Sequence, residues 1–329
     1  MCYDQGRGTE KQPEQAVACW QQAVAQGNSA AMVTLGMAYA NGYGGLERSI
    51  EKAVEYYSLA AAEDNAQGLY NMAVCCDQGR GTQKDAAKAL AFARRAAEHR
   101  HTEANLFVGK AHMLGYGGAE KDAAKAAPYL LAAAESGSTE AQLMYGRLAF
   151  DGQGVKKDYA VAARCFDLAA ARGNAEALCL LGACYDAGLG VQKNAAHAVE
   201  CWKRATQAQH PRAAYFLGRS VAQGYATKAD AAMAARLYAL SAELGDELAA
   251  LEYADCLLEG RGVERNEAEA VKMLTRLAES GMAAAMVKLG ICLDSGRGAE
   301  QNAVQARDWW RKAAAAGSTE AAKLLAPQQ

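Results

Sequence analysis

The chain has 329 residues, of which 51% are hydrophobic and 22% charged, with a formal net charge of -2. That balance excludes the basic excess that draws proteins to nucleic acid or to anionic membranes. No apolar run reaches the roughly 18 residues of a membrane-spanning helix, so neither nucleic-acid binding nor direct membrane insertion is expected.

In an alanine-rich chain with only 4 prolines, helix is expected throughout. The motif Gly-x-Gly recurs at Gly6/Gly8, Gly42/Gly44, Gly79/Gly81, Gly115/Gly117, Gly152/Gly154, Gly188/Gly190, Gly260/Gly262 and Gly296/Gly298, with one blurred beat at Gly224 and Ala226. Its spacing is 36 or 37 residues. A period in that range marks a stack of repeated units, each touching its neighbours, rather than one closed core.

In chain order, residues 1–28 hold most of a first unit. Their start, MCYDQGRGTEKQ, lacks an apolar stretch, so no signal peptide is expected there. The unit 29–65 carries an extra residue in Gly42–Gly45, Gly-Tyr-Gly-Gly. The unit 66–101 has the shorter turn. The unit 102–138 repeats the insertion at Gly115–Gly118 and places Pro128 about two turns into its second helix, where proline predicts a local bend. The unit 139–174 shows the plan most clearly. Ala141, Tyr145 and Leu148 recur at helical spacing in a helix A. Gly152 and Gly154 then break the helix. Asp158 is an N-cap for helix B, which buries Ala162, Phe166, Ala169 and Ala170 and stops at Gly173. The units 175–210, 211–246, 247–282 and 283–318 follow, and residues 319–329 begin a further helix A. Helices of about 12 residues are marginal alone, so stacking supplies their stability.

The unit 175–210 reads Ala177, Leu181-Gly182, Tyr185, Gly188, Gly190-Val191, Asn194, Ala198 and Trp202. This pattern resembles the Sel-one-like repeat, a relative of the tetratricopeptide repeat, and the likeness covers essentially the whole chain. It implies an all-α, right-handed α-solenoid of stacked antiparallel helix pairs over residues 1–329, with helix A lining the concave surface. It also implies a non-catalytic protein-interaction scaffold or adaptor. The alternatives are a structural subunit of a large complex and a small-ligand or penicillin-binding relative.

Aligning the units on one another separates scaffold from surface. The helix B column Trp20, Tyr57, Ala93, Leu130, Phe166, Trp202, Tyr238, Leu274 and Trp310 reads as core packing. Most of the 10 cysteines fall into two columns. Cys2, Cys75, Cys184, Cys256 and Cys292 share one on helix A; Cys19, Cys165 and Cys201 share one on helix B. Units 29–65, 102–138 and 211–246 have no cysteine, unlike the disulfide-stapled relatives with a pair in each repeat. Free thiols and an intracellular, reducing compartment are therefore expected, which weakens the penicillin-binding reading.

Chemistry-bearing motifs are sparse. His99, His101 and His112 lack the spacing of a zinc site, and Gly-x-Gly between two helices is not a dinucleotide fingerprint. No catalytic, metal or cofactor residue is assigned. The variable positions lie on helix A, six and two residues before the Leu-Gly glycine and one and five after it, on one helical face. There Phe107, Lys110, Met144, Arg147, Phe216 and Arg219 form a basic, apolar stretch, followed by the acidic Glu252, Asp255 and Glu259. Arginine and aromatic residues together are typical of binding hot spots. The expected partner is an acidic, partly apolar protein or peptide.

Overall fold

A computed structural model describes residues 11–326; Cys2 and the Gly6/Gly8 beat lie outside the described residues. The described residues form eighteen α-helices and no strand, and none of the helices is long and apolar enough to cross a membrane. The chain divides into two compact units, Met1–Arg172 and Gly173–Gln329. The first holds α1 (Pro13–Ala25), α2 (Ser29–Asn41), α3 (Ile50–Ala62), α4 (Ala66–Gln78), α5 (Ala86–Glu98), α6 (Thr102–Leu114), α7 (Ala123–Glu135), α8 (Thr139–Asp151) and α9 (Tyr159–Ala171). The second holds α10 (Ala175–Ala187), α11 (Ala195–Gln207), α12 (Pro211–Gln223), α13 (Ala231–Glu243), α14 (Glu247–Glu259), α15 (Glu267–Glu279), α16 (Ala283–Ser295), α17 (Ala303–Ala315) and α18 (Thr319–Leu325). Within each unit every helix packs on its neighbours in the chain.

Local signals set the helix ends. Asp158 caps α9, its carboxylate accepting from the amides of Ala160 and Val161. Asn194 caps α11 and Asp230 caps α13 in the same way, each such cap contributing about 1 kcal/mol. At the other end of helix A, Gly152 sits in the left-handed region at φ 75, its amide bonded to the Leu148 carbonyl. Pro128 lies inside α7, which continues unbroken from Ala123 to Glu135. The proline is on the exposed side, as is Ala124. The carbonyl that a residue-128 amide would have bonded is thus open to water.

The core is built from a reciprocal pairing of sizes. The Leu-Gly glycine of helix A is buried against the large residue of helix B. A Cβ built on Gly36, Gly109 or Gly146 would stand 2.7 Å from the side chain of Tyr57, Leu130 or Phe166. On Gly182 it would stand 2.5 Å from Trp202, and on Gly218 2.9 Å from Tyr238. Where helix A has alanine instead, the partner is aliphatic: Ala73 belongs with Ala93, and Ala254 with Leu274, all four fully buried. The two tryptophans also satisfy their indoles. Trp202 Nε1–H donates to the Cys179 carbonyl and Trp310 Nε1–H to the Val287 carbonyl, each at 3.2 Å.

Gly182→Ala gains about 1 kcal/mol of helix propensity but loses about 1–3 kcal/mol to overpacking against Trp202. A lower denaturation midpoint is expected. In a Trp202→Leu background, the same change should raise the midpoint, because the indole no longer occupies the space. A destabilisation of equal size in both backgrounds would exclude the pairing.

Two A helices are capped by histidine. His101 Nδ1 accepts from the Ala104 amide and His210 Nδ1 from the Ala213 amide, both at 3.3 Å. His101 Nε2 lies 3.1 Å from Gln67 Oε1, so the proton sits on Nε2 and leaves Nδ1 as the acceptor. Burial holds His101 below its ordinary 6.5, against the pull of the Glu103 carboxylate. Burial and then Arg212 hold His210 below 6.5, against Asp246. The unfolded chain therefore takes these protons more readily than the folded one. The stability these caps contribute is complete above pH 6.5 and is lost as pH falls below it. The denaturation midpoint should drop between pH 7 and pH 5, before carboxylates titrate. His101→Asn with His210→Asn, which keeps both caps, should flatten that drop.

Candidate partner-binding surfaces

Each A helix presents one packed side and one accessible side. The Leu-Gly position is buried in every full repeat. The neighbouring positions are not. One residue after it stand Met37, Val74, Lys110 and Arg147 in the first unit and Ala183, Arg219, Asp255 and Ile291 in the second, and none is buried. Two residues before it stand Thr34, Asn71, Phe107 and Met144, then Leu180, Phe216, Glu252 and Lys288, all of them half-buried. One turn of helix thus carries both the packing contact and two surface positions.

In the first unit, Phe107 and Lys110 line one cleft of about 500 Å³ between α4, α6 and α8, with Tyr70, Tyr116, Leu114 and Glu140. Leu114 is 72% exposed there. The rings of Phe107 and Tyr116 meet edge to face at 6.3 Å, and Tyr116 O–H donates to the Asp77 carboxylate. Lys110 Nζ is 2.9 Å from Glu140 Oε1, a half-exposed pair of the kind that contributes about 0–1 kcal/mol and exchanges readily. Met144 is half-buried on the cluster of Ala126, Ala127, Leu130 and Leu148. Arg147 is exposed one turn further along α8.

In the second unit, Phe216 stacks on Trp202 at 5.2 Å between ring centroids, and the Arg219 guanidinium lies over the Phe216 ring at 5.9 Å. Tyr215 continues the aromatic cluster, 5.5 Å from Phe216 and 6.2 Å from Tyr238. Phe216 is thus half surface and half support, with its other side on a core indole. The acidic residues on α14 are partly neutralised: Asp255 is 3.0 Å from Lys288 of α16, and Glu259 is 2.6 Å from Arg261. Glu252 is half-buried near Tyr238, whose hydroxyl burial pushes up to about 12, with Glu252 adding to the rise.

Reading columns found the accessible positions but missed what reaches them from elsewhere. Tyr116 comes from a turn and Asp77 from the preceding A helix. The Lys110–Glu140 and Asp255–Lys288 pairs join successive repeats. Their only sequence signal is opposite charge about one repeat apart.

The cysteines and histidines have structural surroundings. The described cysteines carry no disulfide, and Cys75, Cys76, Cys179, Cys184, Cys256 and Cys292 are buried. Burial pushes the Cys184 thiol up to about 11 and the Cys179 thiol up to about 12, away from the thiolate that nucleophilic chemistry needs. His112 is buried, its Nδ1 3.2 Å from the Glu120 carbonyl and its ring stacked on Tyr129. His101 caps α6 and stacks on Tyr70 at 4.8 Å.

The Sel1 repeat model matches residues 1–28, 29–65, 66–101, 102–138, 139–174, 175–210, 211–246, 248–282 and 283–318. A Sel1 repeat protein from Oxalobacter formigenes is similar in structure at 24% identity, over 94% of this chain and 88% of that one, with a TM-score of 0.70. The protein c5321, described as a protective antigen present in uropathogenic Escherichia coli strains and displaying an SLR fold, is 24% identical. It matches 98% of this chain and 84% of its own, with a TM-score of 0.64. At these identities the likeness concerns the fold alone. Over 74 residues the sequence is 36% identical to chitin synthase regulatory factor 3 of Schizosaccharomyces pombe, a match spanning 22% of this chain and 8% of that protein. The repeats matched along the chain and the helix pairs they form lead to one assignment: the chain belongs to the Sel1 repeat family, whose members are generally protein-interaction scaffolds.

Proposed function

We propose that this chain is a non-catalytic scaffold that docks a protein or peptide partner on the accessible face of its A helices. One observation carries the reading. The positions flanking the buried Leu-Gly site are accessible in every full repeat, yet their chemistry changes from repeat to repeat. A surface that packing leaves unconstrained can carry recognition without loss of stability. Arg147 on α8, with Phe107 and Met144 in the same unit, favours an acidic, partly apolar contact. Arg219 on α12, over the Phe216 ring, favours the same chemistry in the second unit. Lys110 exchanges its Glu140 partner for an incoming carboxylate, while Glu252 and Asp255 bias the partner's orientation by repulsion.

The test is capture from the native source by the immobilised chain. Arg147→Glu with Arg219→Glu should reduce retention of the captured protein at least about tenfold, equivalent to 1.4 kcal/mol. Reversal at two exposed helix B lysines, Lys88→Glu with Lys272→Glu, should leave retention unchanged. If the arginine variant retains the same protein as well as the wild type does, the basic-aromatic reading fails.

A further inference from the structure

The repeat 211–246 departs from the pattern at its turn, and the departure coincides with a cavity. In most repeats the second turn glycine lies against the first turn of the preceding B helix. A Cβ on Gly44 would stand 2.6 Å from the Pro13 carbonyl oxygen, and one on Gly117 2.5 Å from that of Ala86. In the second unit, a Cβ on Gly262 or Gly298 would overlap the backbone of Ala231 or Glu267. The corresponding residue in the repeat 211–246 is Ala226, at φ 52, and the helix start it faces by register is Ala195. A methyl cannot settle into the space a hydrogen takes, so a turn with Ala226 cannot approach its helix as closely as the glycine turns do.

The groove between α11 and α13 lies beside this turn. It encloses about 770 Å³, and residues 227–230, which follow Ala226, form one wall. Two repeats on, the equivalent groove on Val271, Leu289 and Leu293, where the turn has Gly298, encloses about 380 Å³ and is not walled by its turn. The wider cleft has two kinds of lining. Val199, Leu217, Val221 and Met233 form an apolar floor, and Met233 is 44% exposed. Lys203 and Lys228 stand at the rim, both exposed and neither in an ion pair among the described residues. Asp230 also lines the cleft, but its carboxylate is engaged by the Met233 amide at 2.9 Å as the cap of α13. The charge left for a ligand is therefore positive, over a hydrocarbon floor, in a volume typical of small-ligand sites.

We infer that this cleft is a binding site for an aliphatic carboxylate, with the hydrocarbon on Val199, Leu217, Val221 and Met233 and the carboxylate between Lys203 and Lys228. Either a free fatty acid or the C-terminus of a peptide ending in leucine supplies that chemistry. The site uses none of the A-helix face positions, so its failure leaves the docking reading intact, and the reverse.

Calorimetric titration of the full chain with octanoate tests it, with octylammonium as the charge control. Octanoate should bind one per chain with a Kd below about 1 mM, and octylammonium should not bind. Acetyl-Ala-Leu with a free and with an amidated C-terminus identifies the source: tighter binding of the free acid than of octanoate points to a peptide. Lys203→Met with Lys228→Met should weaken octanoate at least tenfold, and Ala226→Gly, which lets the turn close on α11, should weaken it several-fold. Thermal melts check that each variant is folded. The proposal is overturned if octanoate does not saturate below about 10 mM, if octylammonium binds equally, or if either folded variant binds octanoate like the wild type.

Discussion

The structure depends on a steric complementarity repeated along the chain: a residue without a side chain on helix A faces the largest residue of helix B. An indole or phenyl ring brings more than 150 Å² of surface to bury, but within a two-helix repeat only a neighbour lacking Cβ leaves room for it. Gly182 and Trp202 illustrate the full exchange, Ala254 with Leu274 an intermediate one, and Ala73 with Ala93 the smallest. Across these pairs the largest helix B residues stand opposite glycine and the smallest opposite alanine, as close packing requires. Glycine in the middle of a helix lowers its intrinsic stability by about 1 kcal/mol, a loss that the buried ring exceeds several-fold. Because helices of this length barely persist alone, the pairing is also what makes the secondary structure persist.

Much of this was legible because the interactions are short in sequence and recur. An N-cap such as Asp158 acts two or three residues away, and the left-handed glycine at position 152 acts on the turn it closes. The Leu-Gly position and its B-helix partner lie about 20 residues apart, but the period displays the pair again and again, so Gly146 and Phe166 were visible as two columns. What stayed hidden joins one repeat to the next through particular side chains. Phe216 lay in a surface column and Trp202 in a core column; only the fold shows them stacked, with Arg219 above. Tyr116 reaches Asp77 from the turn position after Gly115, and nothing in the period announces which turn residue reaches back. Pro128 is a related case: α7 continues through it, and how much the lost amide costs depends on whether the orphaned carbonyl faces water, a tertiary fact.

Charge on the A-helix face is less available than residue identities suggest. Lys110 and Asp255 both have partners in the next repeat, Glu140 and Lys288. The Lys110–Glu140 pair is weak because both ends stay hydrated; Asp255 is more covered than Lys288. On the proposed docking surface, recognition energy would come from groups whose desolvation is already prepared. Phe216 meets that condition, since one face is on an indole and only the other remains to be covered. Arg219 meets it too, since its guanidinium already rests on an aromatic ring and gives up less hydration when a carboxylate arrives. A half-buried, pre-stacked pair therefore contributes more per residue than a fully solvated charge of the same sign.

The same separation explains why an irregular repeat is tolerated. The ring of Tyr238 against Gly218 preserves the core of the repeat 211–246, so its turn is free to change without loosening the helix pair. Replacing the second turn glycine by Ala226 costs the close approach of the turn to α11 and about 1–2 kcal/mol for a Cβ in the left-handed region. Residues 227–230 wall the groove between α11 and α13, whereas the groove two repeats on is not walled by its turn. An exposed Met233 beneath a rim of unpaired lysines is unfavourable in water unless something else covers it. In a chain whose repeats otherwise follow one packing rule, the altered turn at Ala226 changes the lining of its groove while the helix pair beside it stays packed.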